Sequence, residues 1–288
     1  MSAITVSDSD LHPYILESQE ARGRIVVGNS LTSFDEGDWQ GDVLLGASFA
    51  GAPTGAIPLR RGARGWIAHE GGPGKDEAGV AGLPLSDRFG VPAAAIATME
   101  ARLSDGDSLL TGRVSRANAA ANAIGVVPGM TGLEAARVML ANGPEGAPAD
   151  VDALVDEETR IVHRAPNGGR IFSCWSFSRV GESTPDDVFC VASHGARLMA
   201  LYALRIRPKG LICNDAGRGL DDLGIEGLAM LDPEGIAAAS VDTDSARIGD
   251  PLSTYEHGVI SAANATAAAM GIAPGMSARD AAHRMLEG

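Results

Sequence analysis

The feature that most constrains this chain is that it contains the same stretch twice. Residues 65 to 105 align without a gap to residues 210 to 250 at an offset of 145, and Gly72, Gly74, Asp76, Gly79, Arg102 and Asp105 recur as Gly217, Gly219, Asp221, Gly224, Arg247 and Asp250. The match runs outwards on both sides. Asp42-Val43 and Ala47-Ser48 recur as Asp187-Val188 and Ala192-Ser193, and after a one-residue shift Ser115, Asn118 and Pro128-Gly129-Met130 recur as Ser261, Asn264 and Pro274-Gly275-Met276. A repeat of this length makes the chain a tandem duplication of a unit of about half its size. Its parts are expected as a first repeat over 1–141, a linker with the start of a hairpin over 142–168, and a second repeat over 169–288.

Each repeat reads as an α/β unit. A hairpin opens it, seen most clearly as Arg160-Ile-Val-His163, a Pro-Asn-Gly-Gly turn, and Arg170-Ile-Phe-Ser-Cys174. Short apolar runs alternating with helical stretches follow: Asp42 to Ala47 or Asp187 to Ala192, then the strand before the glycine-rich turn, then Ala93 to Thr98 or Ala237 to Val241. This pattern predicts parallel strands buried on both faces. The segments Thr111 to Gly125 and Tyr255 to Gly271 read as helices, and Thr131 or Ser277 caps a final helix over Gly132 to Leu140 or Ala278 to Leu286. The fold class is a duplicated small three-layer α/β unit, a mostly parallel sheet plus a β-hairpin, with the two domains expected to pack about a pseudo-twofold axis.

Composition narrows the function. A net charge of -14 with only two lysines, Lys75 and Lys209, argues against nucleic acid or an anionic membrane surface as a partner. The positive charge is arginine, which suits planar contacts to carboxylate or phosphate. Asp8, Asp10 and Glu17 stand where a signal peptide needs a basic and then an apolar segment, and the cysteines Cys174, Cys190 and Cys213 have no metal spacing. A cytoplasmic homo-oligomer is expected.

In open parallel sheets the ligand crevice lies at the carboxyl ends of the strands. Three loops per repeat end there. The first carries Ser48 or Ser193, the latter in Val191-Ala-Ser-His-Gly195, which resembles a nucleophile elbow; the alternative is a helix cap. His194 beside it is a general base or a polar contact. The second loop carries His69 and Glu70, or Asn214 and Asp215, followed by glycines at 72 and 74 or 217 and 219 that would bring backbone N–H groups to an anion or only permit a tight turn. Its acids Asp76 and Asp221 also suit the first turn of a helix. The third carries Arg102 or Arg247, either paired with Asp105 or Asp250 or clamping an anionic substrate.

The residues expected to carry catalysis are Ser193, His194, Asp215, His69 and Glu70; those expected to bind substrate are Ser48, Gly72, Gly74, Arg102, Gly217, Gly219 and Arg247. No motif requires a cofactor, and a divalent metal on Asp215, Asp242, Asp244, His69 and Glu70 is the minority alternative. Ser115, Asn118, Ser261 and Asn264 read as helix positions that pack or bond at the domain interface. The functional expectation is an enzyme acting on a small anionic metabolite, a carboxylate, amide or lactone-like compound, by hydrolysis or lyase-type acid–base chemistry in a cleft between the repeats. The alternative is a non-catalytic anion-binding or regulatory protein.

Overall fold

The computed structural model describes residues 12–288 apart from Asn167. Two compact units form. The first comprises the residues up to Ala50, Thr54–Glu70 and Gly82–Val151; the second comprises Gly51–Pro53, Gly71–Ala81 and Asp152–Gly288.

The first sheet takes its strands in chain order: β1 (Tyr14–Gln19), β2 (Gly23–Gly28), β3 (Val43–Phe49), β4 (Gly65–His69), β5 (Ala93–Ile96) and β6 (Val114–Ala117). The β1–β2 pair is antiparallel, β2 to β5 run parallel, and β6 returns antiparallel to β5. The helices are α1 (Ala52–Arg60), α2 (Gly82–Asp87), α3 (Gly106–Thr111), α4 (Ala119–Ala123) and α5 (Gly132–Asn142). The second sheet repeats this order and these directions with β7 (Arg160–Arg164), β8 (Arg170–Cys174), β9 (Val188–His194), β10 (Gly210–Asn214), β11 (Ala237–Val241) and β12 (Ile260–Ala263). Its helices are α6 (Arg197–Ile206), α7 (Glu226–Leu231), α8 (Ser253–His257), α9 (Ala265–Ala269) and α10 (Ala278–Glu287). The expected α/β class and the duplication are both present.

Each unit has three layers because side chains alternate across the parallel strands. In the first, Ile25, Val27, Val43, Leu45, Ile67 and Ile96 pack on Leu109 of α3 and on Ala135, Ala136, Met139 and Leu140 of α5. On the other face Trp66 is fully buried, and its Nε1 donates to Ser86 Oγ of α2 at 2.9 Å. In the second, Ile171, Val188, Cys190 and Ile212 pack on α10, while Phe172, Phe189, Val191 and Leu211 pack on Met199, Ala200 and Ala203 of α6 and on Leu228 and Leu231 of α7.

A buried carboxylate fastens each hairpin to its parallel strands. Asp187, fully buried, accepts from Arg170 Nη2 at 2.6 Å and from the backbone N–H groups of Arg170 and Thr184 at 3.2 and 2.6 Å. These bonds to the ionised form outweigh the effect of burial, and its pKa is lowered. Asp42 and Arg24 repeat the arrangement, with Arg24 N and Nε donating at 2.7 and 2.9 Å.

The expected helices over Thr111–Gly125 and Tyr255–Gly271 are not continuous. A sixth, antiparallel strand interrupts each, and only the short α4 or α9 follows it. The reason is the asparagine. Asn118 Oδ1 accepts from Ala121 N and Ala93 N, both at 2.9 Å, while its Nδ2 donates to the Leu83 and Val91 carbonyls. Asn264 does the same with Ala267 N, Ala238 N and the Leu228 and Ile236 carbonyls. An asparagine bonding this way starts a helix and cannot sit inside one. Ser115 and Ser261 likewise donate within their own sheets, to the Ala95 and Ser240 carbonyls at 3.2 and 3.3 Å. These four residues bond inside their own units. Among the described residues, no helix is long and apolar enough to cross a membrane.

Candidate functional site

The loops at the carboxyl ends of β4, β5, β10 and β11 hold most of the expected site residues, and the duplication allows each to be compared with its counterpart. His69 closes β4 and is fully buried. Its Nε2 lies 3.1 Å from the Ala101 carbonyl; its counterpart Asn214 places Nδ2 3.1 Å from the Ala246 carbonyl, the equivalent group. Imidazole and amide therefore do the same task, supplying one N–H that ties the second loop to the third. Burial lowers the His69 pKa, and bonds to the Ala101 and Thr98 backbone and the Glu70 charge pull the other way. His69 is thus a neutral structural donor rather than an exposed base.

The next position diverges. Glu70 Oε2 accepts from Thr98 N at 3.2 Å and Thr98 Oγ1 at 3.1 Å, and its Oε1 holds Arg116 Nε at 3.0 Å. Asp215, its counterpart, keeps the equivalent backbone bond: Oδ1 accepts from Thr243 N at 3.1 Å and also from Gly217 N at 3.0 Å, and the Ser261 hydroxyl bonds to the carboxylate. One methylene shorter, it leaves the Thr243 hydroxyl buried without a partner among the described residues. The sheet register aligns Ser240 with Ala262 as it aligns Ala95 with Arg116, so an alanine stands where the first copy has its arginine. Asp215 is 5% exposed. Burial raises its pKa, the nearby Asp242 charge adds to this, and bonds from Ser261, Gly217 and Thr243 oppose it. A buried carboxyl held towards its proton-carrying form, beside an unsatisfied hydroxyl at the strand ends, is what acid–base chemistry requires.

The glycine-rich loops are strained rather than open. Ala216, Gly217, Arg218 and Gly219 all have positive φ, as do Asp221 and Asp222; the first copy repeats this at Gly71, Gly72, Gly74, Asp76 and Glu77. Non-glycine residues in this region cost on the order of 1–3 kcal/mol each. At Gly74 (φ 60°) a Cβ would stand 2.6 Å from the Thr243 carbonyl oxygen, so only glycine lets the Gly71–Ala81 segment lie against the Asp242–Asp250 loop. Lys75 N then donates to Thr243 O and Lys75 Nζ to Ser245 O, both at 3.0 Å. At Gly217 and Gly219, expected to cradle an anion, the N–H groups bond within the turn. The N–H groups of residues 216, 217, 218 and 219 already donate to Asn214 Oδ1, Asp215 Oδ1, Asp215 O and Gly217 O.

Arg247 does not take Asp250 as its main partner. Its Nη2 and Nε reach Asp76 Oδ2 at 2.6 and 2.7 Å, against 3.8 Å to Asp250. The pair is exposed and worth little, about 1 kcal/mol or less. Arg247 also lines a pocket of about 290 Å³ with Ala52, Pro53, Ala81, Leu154, Val155 and Pro251 among its walls. In the first copy Asp105 serves instead as the N-cap of α3, and Arg102 N donates to Ser108 Oγ at 2.9 Å, as Arg247 N donates to Ser253 Oγ.

Ser193 and His194 are not on an elbow. β9 runs through both, and neither has the positive φ of a strained nucleophile turn. The cap reading fails too, because α6 begins after Ala196 without a side-chain cap. Ser48 Oγ is buried and accepts from Leu31 N at 3.1 Å. Burial pushes the Cys174 thiol up to about 12 and raises Cys190 and Cys213 as well, so none is a ready nucleophile. Among the described residues no group of three or more His, Cys, Asp or Glu is arranged to hold a metal ion. Sequence reasoning missed the pairing of Arg247 with Asp76 and the isolation of Asp215; the alanine at 262 opposite Arg116 was the available signal.

No protein-family model, curated protein or solved structure matches the chain.

Proposed function

We propose that the chain is an enzyme of small-anion metabolism that works by proton transfer, with Asp215 as the acid–base group and Arg247 binding the anion. The observation that carries this is the Asp215 carboxyl, buried, raised in pKa and, among the described residues, without a cation where its counterpart has Arg116. The Thr243 hydroxyl beside it offers a hydrogen bond to a bound molecule. On the same loop, a pocket of about 290 Å³ with mainly apolar walls suits a small metabolite, and a carboxylate entering it would compete for Arg247 with the exposed Asp76 and with Asp250, which lines the pocket together with Asp156. Hydrolysis through an activated water and lyase-type elimination both use such a group. Covalent catalysis by Ser193 has no support in its position within β9.

A thermal-shift screen with small carboxylates, cyclic amides and phosphates, followed by NMR of the stabilising compound, tests this. Arg247→Ala should abolish the stabilisation. Asp215→Asn should keep it and lower turnover by about 100-fold or more. Turnover by Asp215→Asn at the wild-type rate overturns the assignment. A compound that binds and is never consumed favours the second reading, an anion sensor; the Arg247–Asp76 pair, open to exchange with an incoming carboxylate, is the observation behind it.

A further inference from the structure

The first strand of each hairpin faces the last helix of its unit, and the two copies use different chemistry there. In the first unit, Glu17 of β1 accepts two bonds from Arg137 of α5 on Oε1, from Nε at 3.0 Å and from Nη2 at 2.5 Å. In the second, the same positions are His163 of β7 and His283 of α10. The register establishes the equivalence: Glu17 pairs with Ile25 as His163 pairs with Ile171, each just after a bulge. The helices agree, since the caps Thr131 and Ser277 precede Arg137 and His283 by the same six positions.

The two imidazoles lie with ring centroids 4.4 Å apart and planes at 64°. Both are half-buried. Tyr255 Oη sits 3.3 Å from His283 Nε2. His283 Nδ1 and both nitrogens of His163 have no protein partner among the described residues. Asp280 and Glu287 are the anionic neighbours of His283, and Arg279 lies over the Tyr255 ring, 5.0 Å from its centroid, so the local balance is one negative charge.

An ion pair has thus been exchanged for two nitrogen donors that offer each other no charge attraction. We propose that His163 and His283 form a binding site for a borderline divalent transition metal, Zn²⁺, Ni²⁺ or Cu²⁺, which bridges β7 and α10 as the Glu17–Arg137 bond bridges β1 and α5. Imidazole nitrogen selects these metals over Mg²⁺ and Ca²⁺. Tyr255 supplies the outer-shell bond that fixes a ligating histidine ring, leaving Nδ1 of His283 for the metal. With two protein donors, the remaining positions are open to water or a small ligand. The site uses none of the residues assigned to proton transfer.

The duplication provides the controls. Zn²⁺ and Ni²⁺ binding to the untagged full chain is measured by calorimetry and by competition with a chromophoric chelator. One equivalent is expected. The double variant His163→Glu with His283→Arg rebuilds the ion pair of the first unit and should retain the fold while losing that equivalent. The reciprocal variant Glu17→His with Arg137→His should gain one, and Tyr255→Phe should weaken binding about 10-fold. Unchanged binding in the ion-pair variant, or no saturable binding by the wild type at micromolar metal, overturns the proposal.

Discussion

Replacing His69 with its own counterpart separates a structural histidine from a catalytic one. Asn214 shows that an amide at this position reaches the carbonyl of the third loop at the same 3.1 Å as His69 Nε2. His69→Asn should therefore keep the bond and cost about 1 kcal/mol for the smaller volume. His69→Ala strands the buried Ala101 carbonyl and opens a larger cavity, for about 3 kcal/mol. The pH dependence gives a second, independent reading. Burial lowers the His69 pKa from 6.5, so the unfolded chain binds a proton that the folded chain refuses. Its stability is then complete above the unfolded value and is lost as pH falls through it. Between pH 7.5 and 5.5 the wild type should lose up to about 1.4 kcal/mol relative to His69→Asn. Urea unfolding of the three proteins at both pH values measures these differences. If His69→Asn is as unstable as His69→Ala, or shows the same acid slope as the wild type, the structural assignment is refuted.

Asn264→Ala removes four buried hydrogen bonds at once and should cost about 4 kcal/mol at about 1 kcal/mol each, read by urea unfolding. Asp187→Ala leaves Arg170 without its carboxylate and should cost about 3–5 kcal/mol by the same measurement. The double variant Asp215→Glu with Ala262→Arg recreates the Glu70–Arg116 pair in the second copy; calorimetry should show unchanged or higher stability at neutral pH, while turnover of any substrate found for the wild type falls as for Asp215→Asn.

Much of the fold was legible because repetition and period are local properties of sequence. The offset of 145 marked the two similar halves, each with its six-stranded sheet, and Arg160–His163 with Arg170–Cys174 gave the second hairpin as β7 and β8. The sixth strands were not legible. Val114-Ser-Arg-Ala and Ile260-Ser-Ala-Ala are too short to show alternation, and the surrounding alanines favour a helix. Pairing with β5 and β11 decides their form, together with the four bonds of Asn118 or Asn264, and those partners lie about 25 residues or more away in sequence for three of the four bonds. The site was legible as a set of loops but not as a set of roles. Sequence placed His69, Glu70, Asp215 and Arg247 at the strand ends, while the bonds that consume His69, Glu70 and Arg247 depend on Ala101, Arg116 and Asp76 reached through folding.

Comparing equivalent positions explains why the histidine substitution carries less weight than the smaller acidic one. His69 and Asn214 differ in ring, charge state and volume, yet each spends an N–H on the same backbone carbonyl, so that divergence conserves a task. Glu70 and Asp215 differ by one methylene, and the consequences accumulate. The shorter chain releases the threonine hydroxyl, alanine at 262 removes the guanidinium, and burial is left to set the protonation state. In the first copy the carboxylate has three donors, one of them the Arg116 guanidinium. In the second it sits in the same frame without that guanidinium. A duplicated fold holds the backbone constant, so a difference in chemistry at one position stands out against it, and the proton-transfer role proposed for Asp215 rests on that difference.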